Sequence, residues 1–480
     1  MSLSSTGSPT PNPLPKQQQP VYPPSPDAGL DSRRRLYMLG VVFTAAVGGF
    51  LFGYDLSLIG AANVFLKDQF HLSEQMLGFT TASAALGCVF GPFLGAWLCD
   101  AVGRERTMML AAGLLGISAF MTAIAPTINL FNTFRIIGGV GVGLCSVASP
   151  MYIAEVAPPK QRGGLGVMYQ LAIVVGSTAA PLVAYLLVRN LPDSVSWRWM
   201  FASQIAVVVF FTGFLFLLPH SPRWLAQRGR VEEARLVLVR LHGAETAELE
   251  LREIQQSLTE ESGGFKELLQ PGMRYALLIG LLLGVFNNWT GWSAIGGYIP
   301  MLFEMAGVHQ RHVALLQFSF TYLAMAVLTI ISMGLIDRLG RRPLWLFASV
   351  FMALITAGTG VVFHYQLHGW PVLLVILLCA LPHGLALGPL PWLMMSEIFP
   401  TRIRAKAVAV TTTWLWLVIY TAAQLFPMLI GFSQRHIGSP AGAFWIFTIV
   451  CICAVLFGWK MLPETKGRTL EEIGRAWRRN

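Results

Sequence analysis

Long runs of apolar residues recur along the whole chain and are separated by short polar links. Each run has about 20 residues or more, and a helix of that length is about 30 Å long, the thickness of the hydrocarbon core of a bilayer. The pattern predicts an all-α membrane protein with twelve transmembrane helices, numbered here as spans 1 to 12, at residues 36–63, 76–99, 107–126, 129–155, 164–189, 198–219, 273–304, 311–336, 343–364, 371–396, 405–431 and 441–462.

Composition agrees with this pattern. Of the 480 residues, 54% are hydrophobic and 12% are charged, and the mean hydropathy is +0.59, well above that of a soluble globular chain. The six cysteines have neither metal-ligand nor disulfide spacing, and no Ser/His/Asp, CxxC or metal-ligand arrangement stands out. We therefore expect no enzyme activity, no metal and no cofactor.

The net charge of +10 is concentrated in alternate links. Links after even-numbered spans are basic, whereas those after odd-numbered spans hold little more than Lys67, Arg189, Arg198, Arg311 and Arg435. The positive-inside rule then places the basic links and both termini in the cytoplasm, for a multi-pass protein of the cytoplasmic (plasma) membrane. The charge thus indicates topology in a lipid bilayer and not a nucleic-acid partner.

The chain contains an internal repeat. DAVGRER at Asp100 is echoed by DRLGRRP at Asp337, and EVAPPKQR at Glu155 by EIFPTRIR at Glu397. Both motifs follow even-numbered spans, which indicates duplication of a six-helix unit and a cavity between the two halves. The predicted parts are a disordered Pro-rich tail (1–35), an N-terminal bundle (36–220), a linker of amphipathic helices (221–272), a C-terminal bundle (273–462) and a C-terminal tail (463–480). The linker is either a solvated connection or a latch between the halves.

Further motifs indicate a family. FRIIGGVGVG at 134–143, PHSPRWL at 219–225 and LPETKGRTLEEI at 462–473, together with the two repeated motifs, resemble the sugar porter family of the major facilitator superfamily over roughly residues 36–474, and in particular its bacterial sugar/proton symporters. The resemblance implies a monomeric transporter of a sugar or polyol and protons that works by alternating access. One departure is His220, where the family usually has an acid.

Asp55 is an acid within an apolar span. It lies 20 residues from Arg35, and Arg135 lies 20 residues before Glu155, so both lie about 30 Å from the cytoplasmic edge. A charge at such depth costs about 2.5–3.5 kcal/mol on insertion scales and typically has a partner. We expect Asp55 and Arg135 to form a pair, either a permanent structural one or a proton switch. The resemblance implies the switch, because facilitators of the family have Asn at the acid position.

The repeated loop motifs offer acids beside arginines. Such pairs could hold the cytoplasmic face shut while the cavity opens outward, or the basic residues could only enforce topology. The predicted cytoplasmic gate residues are Asp100, Arg104, Arg106, Glu155, Arg162, Asp337, Arg338, Arg341, Arg342, Glu397 and Arg404.

The resemblance also implies a substrate site, although each aromatic residue in it could serve packing alone. The implied residues are Gln170, Ser177, Asn287, Asn288, Ser293, His383, Trp392, Thr413 and Trp414, with Tyr298 as an extracellular gate.

The second half departs from the family pattern. Where sugar porters have QQxxGxN in the seventh helix, this chain has NNWTGWS, with shorter amides and Ser293 in place of the later asparagine. His383 and Gly384 replace an aromatic residue and an acid of glucose carriers. His383 could be a structural histidine, a titrating group or a ligand for an acidic substrate.

The sequence therefore favours a secondary active transporter that moves a sugar or related polyol with protons. The alternatives are a uniporter, a transporter of a non-sugar organic solute such as a sugar acid, and a sensor that does not transport. The two short tails favour transport over sensing.

Overall fold

The computed structural model describes residues 28–158, 161–259 and 264–466, which are helical with no strand among them. The first half contains α1 (Ala28–Phe70), α2 (Glu74–Cys88), α3 (Gly91–Val102), α4 (Arg104–Ile124), α5 (Ile128–Val156), α6 (Arg162–Asn190) and α7 (Asp193–Leu215). The linker contains α8 (Pro222–Gln227), α9 (Val231–His242), α10 (Ala244–Thr259) and a 3₁₀ turn (Phe265–Leu269). The second half contains α11 (Met273–Trp289), α12 (Trp292–Gly296), α13 (Ile299–Met305), α14 (Arg311–Leu339), α15 (Arg341–His364), α16 (Trp370–Pro382), a π turn (His383–Leu387), α17 (Pro389–Glu397), α18 (Thr401–Ile437) and α19 (Ala441–Lys460).

Span 7 is the broken member of this set. Within the described ranges, eleven helical stretches are long and apolar enough to cross a membrane, and span 7 instead consists of the three short helices α11, α12 and α13. Gly291 has a φ of +117° at the first break, a conformation that other L residues rarely adopt. Gly297 follows α12, and Pro300 stands at the start of α13, where its missing N–H is tolerated.

Spans 2 and 10 are interrupted as well. In span 2, α2 ends at Cys88 and α3 begins at Gly91 with Pro92 in its first turn. In span 10, α16 ends at Pro382, and a π turn leads to Pro389 at the start of α17. Proline has no backbone N–H and disrupts a helix that precedes it. Both interruptions therefore coincide with prolines.

The first helix begins earlier than predicted. Residues 28–35 belong to α1, so the prediction that they are disordered is wrong. The last proline of the tail is Pro26, and nothing after it prevents a helix from extending into water beyond the apolar run. The remainder of that tail and residues 467–480 of the C-terminal tail lie outside the described residues.

The two halves contact each other mainly along two pairs of helices, α2 with α18 and α6 with α14. Within the first half, glycines allow the closest packing. A Cβ atom on Gly53 of α1 would lie 1.9 Å from the carbonyl oxygen of Ile173, and one on Gly176 of α6 would lie 2.1 Å from that of Phe50. Since the α1–α6 interface has backbone against backbone, no larger residue fits there without moving a helix.

The linker has a small core of its own and is attached to the first half. The indole Nε1–H of Trp224 donates to the carbonyl of Asp100 at 3.1 Å, and Arg228 donates to the same oxygen at 3.0 Å. These donors satisfy a carbonyl at the C-terminal end of α3, where no intrahelical partner exists. His242 lies between the Val156 carbonyl, at 3.0 Å, and the carboxylate of Glu250, at 2.8 Å.

Substituting Gly53 with Ala tests the α1–α6 contact. The added Cβ must push α6 away, so we expect the free energy of unfolding to fall by about 1–3 kcal/mol or more, as in other overpacked cores. Thermal unfolding of purified protein in detergent measures the loss. Gly213→Ala is the matched control, because a Cβ there meets no atom within 4 Å. Equal stability of the two variants would contradict the close approach.

Candidate functional site

The candidate site residues lie on two faces of the molecule and between them. We call the end that carries residues 100–106, 155–158, 337–342 and 397–404 the motif face. The end that carries Asp68, Asp193 and Arg311 is the opposite face. Because successive spans alternate in direction, all loops after even-numbered spans lie at the motif face.

Asp55 and Arg135 form an ion pair, which confirms the contact predicted from their depths. The Nη1 group of Arg135, on α5, donates to Oδ1 of Asp55, on α1, at 2.6 Å, and each side chain is only 1% exposed. The guanidinium carbon also lies 5.6 Å from the ring centroid of Phe201 on α7. The pair thus joins three helices of the first half.

The bonding of this pair is incomplete. Oδ2 of Asp55 and Nε of Arg135 are buried and have no hydrogen-bond partner among the described residues. A single-point contact leaves one carboxylate oxygen able to take a proton without first losing a bond. A fully satisfied structural pair would use both oxygens, as a bidentate Arg–carboxylate pair does.

At the motif face, each half carries the same three-residue arrangement. In the first half, Arg104 donates to Glu155 at 2.8 Å, and the hydroxyl of Ser221 donates to the other oxygen of that carboxylate. In the second half, Arg341 donates to both oxygens of Glu397 at 2.8 and 3.2 Å, and Thr465 donates at 2.6 Å. The duplication inferred from two motifs therefore extends to the hydrogen bonds between them.

The hydroxyl positions belong to a third repeated motif that the sequence analysis missed. LPHS at 218–221 corresponds to LPET at 462–465, with Ser221 matching Thr465 and His220 matching Glu464. The repeat can be read from the sequence, but it is less evident because His220 stands where the second copy has Glu464.

Glu464 occupies the start of α15. Its carboxylate accepts backbone N–H groups of Arg341 and Arg342, each at 3.0 Å, and of Lys466 at 2.9 Å. Burial alone would raise the pKa of Glu464, but these N–H donors and the nearby Arg341 outweigh it and lower the pKa. A carboxylate at a helix N-terminus is also favoured by the helix dipole.

The first half also has a carboxylate at the start of the corresponding helix, α4, but the acidic and basic residues have exchanged positions. Its α4 begins at Arg104 and Glu105, where α15 begins with two arginines, and Nδ1 of His220 contacts Oε1 of Glu105. A Cβ atom on Gly103 would lie 2.6 Å from the Glu105 carboxylate, and one on Gly340 would lie 2.7 Å from that of Glu464. Glu105 thus provides the carboxylate at this helix start, and His220 is its partner.

The other predicted gate residues differ in their surroundings. Arg342 donates to the carbonyls of Gly458 and Trp459, and Arg404 donates to that of Phe399 at 3.4 Å. Arg106 and Arg338 are exposed. Asp100 and Asp337, also largely exposed, contact Arg104 at 3.5 Å and Arg341 at 3.4 Å. The side chain of Arg162 lies outside the described part.

The observed pairs lie within one half each, and whether they hold this face shut during transport stays a prediction. Arg104 and Glu155 connect α4 to α5, and Arg341 and Glu397 connect α15 to α17. The reason is the duplication itself, because each copy of the motif set closes on its own six-helix unit. At this face the halves meet instead where α3 contacts α18.

Three predicted substrate residues of span 7 are bonded within the protein. The amide of Asn287 donates to the carbonyls of Leu387, at 2.7 Å, and Gly388, at 3.2 Å. Asn288 donates to Gly284 at 3.0 Å and accepts a hydrogen bond from Ser293 at 2.6 Å. Asn287 thus holds the π turn of span 10, whose loosened backbone leaves carbonyls that need a donor.

His383 lies in that π turn beside an aromatic residue that the prediction omitted. Its ring stacks on Trp292 with centroids 5.7 Å apart and an angle of 29°, and Tyr322 packs edge-on against the same indole at 5.7 Å. Nδ1 of His383 and the hydroxyl of Thr413 are buried without a partner in the described chain. These two polar atoms could bond to a substrate.

The other candidates differ in accessibility. Gln170 is half-buried, with no hydrogen bond to the described residues, whereas Ser177 is buried and donates to Gly53 at 3.3 Å. Trp392 and Trp414 are 38% and 37% exposed, and Trp414 donates to the Leu281 carbonyl at 3.1 Å. Only some of the predicted substrate residues therefore have polar groups that are not already bonded within the protein.

Tyr298, the predicted gate, is buried and donates to the carbonyl of Ala423 at 2.8 Å. Its neighbour Gly297 accepts a hydrogen bond from Asn63 of α1 at 2.7 Å. The α12–α13 break thus contacts the first half directly at the opposite face. The contact is made by Asn63, which was not among the predicted site residues.

These features, two six-helix halves with a broken span 7 and a buried ion pair, define a major facilitator transporter. The sequence profile of the family described as "Sugar (and other) transporter" matches residues 41–477. The chain is 36% identical over 448 residues to the arabinose-proton symporter of Bacillus subtilis (strain 168), covering 92% of this chain and 95% of that protein. It is 34% identical over 475 residues to the D-xylose-proton symporter of Escherichia coli (strain K12), covering 92% and 96%.

The fold agrees with the sequence comparison. The inward-open structure of the xylose transporter XylE from E. coli superposes with a TM-score of 0.81 at 32% identity, covering 92% of this chain and all of that one. The chain belongs to the sugar porter family of the major facilitator superfamily.

The charge exchange at the start of α4 predicts compensation between two substitutions. His220→Glu places a second carboxylate against Glu105 and should destabilise the protein, whereas His220→Glu with Glu105→Arg recreates the second-half arrangement and should restore stability. We expect a coupling energy of about 0.5–3 kcal/mol, as for residues in direct contact. Thermal unfolding of the four proteins of the cycle measures it. Additive effects would mean that the contact does not stabilise the fold.

The lowered pKa of Glu464 predicts a pH dependence. Its ionised carboxylate stabilises the folded chain fully above the ordinary Glu pKa of about 4.3, and this contribution is lost as the pH falls through the lowered folded-state pKa. Glu464→Gln should therefore reduce the melting temperature at pH 7, and its difference from the unsubstituted protein should shrink towards pH 3. Glu245→Gln, an exposed change in α10, is the control. A gap independent of pH would contradict the assignment.

Proposed function

We propose that this protein transports a sugar together with protons by alternating access, and that Asp55 carries the proton. The observation that supports the proton role most directly is the single-point contact of a buried ion pair. Oδ1 of Asp55 binds Arg135, while Oδ2 is buried without a partner in the described chain. The relatives named as arabinose-proton and D-xylose-proton symporters support the reaction class.

The proton step needs no other reactant. A proton from the outer side adds to Oδ2 of Asp55, and the neutral acid no longer attracts the guanidinium of Arg135. Separation of α1 from α5 at this point changes the arrangement of the first half. When the cavity faces the cytoplasm, Arg135 returns to Asp55, its attraction for the carboxylate displaces the proton, and the proton leaves to that side.

The pair also explains why the proton does not leak. With the acid ionised, Asp55 and Arg135 of the first half form a buried charge pair, and breaking such a pair by removing one partner costs about 3–5 kcal/mol. Rocking with an unprotonated Asp55 separated from Arg135 would incur a similar penalty. Movement is therefore favoured only in the protonated, sugar-loaded state or in the unloaded return state.

We propose that the motif face is cytoplasmic, because its links carry most of the positive charge outside the tails. The opposite face is then external. Arg104 with Glu155 and Arg341 with Glu397 serve to keep each half rigid as it rocks, and α8 to α10 fasten the first half through Asp100 and Val156.

For the sugar, we propose a site in which Gln170 of the first half faces a reduced set of donors in the second half. Asn287 and Asn288 already bond within the protein, which leaves His383 and Thr413 as unpartnered polar groups there. Trp392 and Trp414 supply aromatic faces that can pack on the C–H faces of a sugar ring. A site with few free amides suits a sugar with few hydroxyl groups, such as a pentose.

Substituting Asp55 with Asn tests proton coupling. In proteoliposomes, we expect Asp55→Asn to abolish accumulation of a labelled sugar driven by an imposed pH gradient while keeping sugar exchange at equal concentrations. Glu245→Gln should accumulate sugar like the unsubstituted protein. Exchange also reports that the variant is folded.

The same assay separates the alternatives. A panel of pentoses, hexoses, polyols and sugar acids identifies the substrate class. Sugar accumulation by Asp55→Asn would overturn the proton role and leave a structural ion pair. Transport of panel sugars without any accumulation by the unsubstituted protein would indicate a uniporter.

A further inference from the structure

We propose that Arg311 is a gating residue of the transport cycle that locks the external face through three carboxylates. Arg311 begins α14, in the second half. Its Nη1 and Nη2 groups donate to Asp193, at 3.0 Å, and to Asp68, both in the first half. Its Nε group donates to Glu304 of α13 at 3.1 Å, so every nitrogen of the guanidinium has a carboxylate partner.

The positions of these four residues place the bonds across the mouth of the cavity. Asp68 lies near the external end of α1, and Asp193 is the first residue of α7. Glu304 lies at the external end of span 7, next to the break that contacts Asn63. Opening the cavity outward moves the two aspartates away from Arg311, so outward opening requires these bonds to break.

Arg311 is one cation among three acids that come from both halves. With Arg311 present, one cation holds acids of both halves. Without it, Asp68 and Asp193 of the first half would face Glu304 of the second half, and Lys67 is the remaining nearby cation. Like charges repel, so loss of Arg311 replaces attraction between the halves with repulsion.

The basic residues of this face support a role beyond topology. Positive charge is disfavoured on external links. Arg311 and Arg435 nevertheless both bind acids of the other half, Arg435 through Glu74 at 2.9 Å. Arg189 and Arg198 instead bind within the first half, to Tyr185 and to the Ala123 and Ala125 carbonyls.

A cleft of about 1050 Å³ remains between the two sets of bonds. It is lined by the α1–α2 link and by α13 and α18, and its walls include Glu304 and both members of the Arg435–Glu74 pair. Glu304, which Arg311 binds, thus lies at the wall of this cleft.

External access to the substrate region tests the lock. Ser293→Cys provides a reporter beside Asn288, and its labelling by a membrane-impermeant maleimide is followed in intact cells. The chain without the reporter gives the background, since native Cys453 is exposed. We expect Arg311→Gln to accelerate labelling at least threefold over the reporter alone. Arg311→Lys keeps the positive charge but loses the planar guanidinium that bonds several carboxylates at once. Its labelling rate should lie between those of Arg311→Gln and the reporter alone.

Arg189→Gln is the matched control, since Arg189 is an exposed arginine of the same face that bonds to its own helix. It should label at the reporter's rate. Asp68→Asn with Asp193→Asn removes the first-half acids while keeping Arg311, and should also accelerate labelling. A folded Arg311→Gln protein that labels like Arg189→Gln would overturn the proposal, as would unchanged labelling of the double aspartate variant.

The proposal rests on the external orientation of this face but not on proton coupling or on the identity of the sugar. Labelling measures only access from outside, whereas accumulation of sugar measures coupling. If the labelling experiment contradicted the role of Arg311, sugar accumulation by the unsubstituted protein would be unaffected. Failure of coupling in the Asp55→Asn assay would leave the labelling result standing.

Discussion

The packing of the first half depends on one buried ion pair, between the carboxylate of Asp55 and the guanidinium of Arg135. Removing two charges from water is expensive, and their attraction offsets that cost only when they are held in contact. The helices α1 and α5 must therefore meet at one depth, and the glycine contacts along α1 and α6 fix how closely the neighbouring helices approach. The pair is held this strictly, yet only one of the two carboxylate oxygens of Asp55 is bonded to Arg135.

The second half has the same scaffold, and its described residues form no such fully buried ion pair. Its span 7 is broken twice, and its span 10 contains a π turn that Asn287 holds by two backbone carbonyls. Irregular backbone within a membrane is tolerated where it is buried in protein or lines a cavity. The first half thus holds the buried ion pair of Asp55 and Arg135, whereas the second holds the broken span 7, the π turn and the aromatic cluster of Trp292, Tyr322 and His383.

Much of this was accessible from the chain alone, and the failures have physical causes. The run lengths predict the spans, and counting residues from the basic links predicts the contact between Asp55 and Arg135, because a membrane fixes depth as a soluble fold does not. The fate of Asn287 could not be predicted in this way, since its partners are carbonyls freed by a π turn almost a hundred residues further along the chain. Arg311 appeared only as an exception to the charge rule, because its three acids come from three different links.

The two halves also differ in when their helix starts can be completed. Glu105 follows Arg104 directly, so the acid at the start of α4 is present as soon as that helix is synthesised. The acid at the start of α15 is Glu464, which is separated from Arg341 by 123 positions. Until the ribosome has made the whole second half, α15 lacks this carboxylate. The start of α15 is therefore completed only by a segment that is synthesised after the helices of the second bundle.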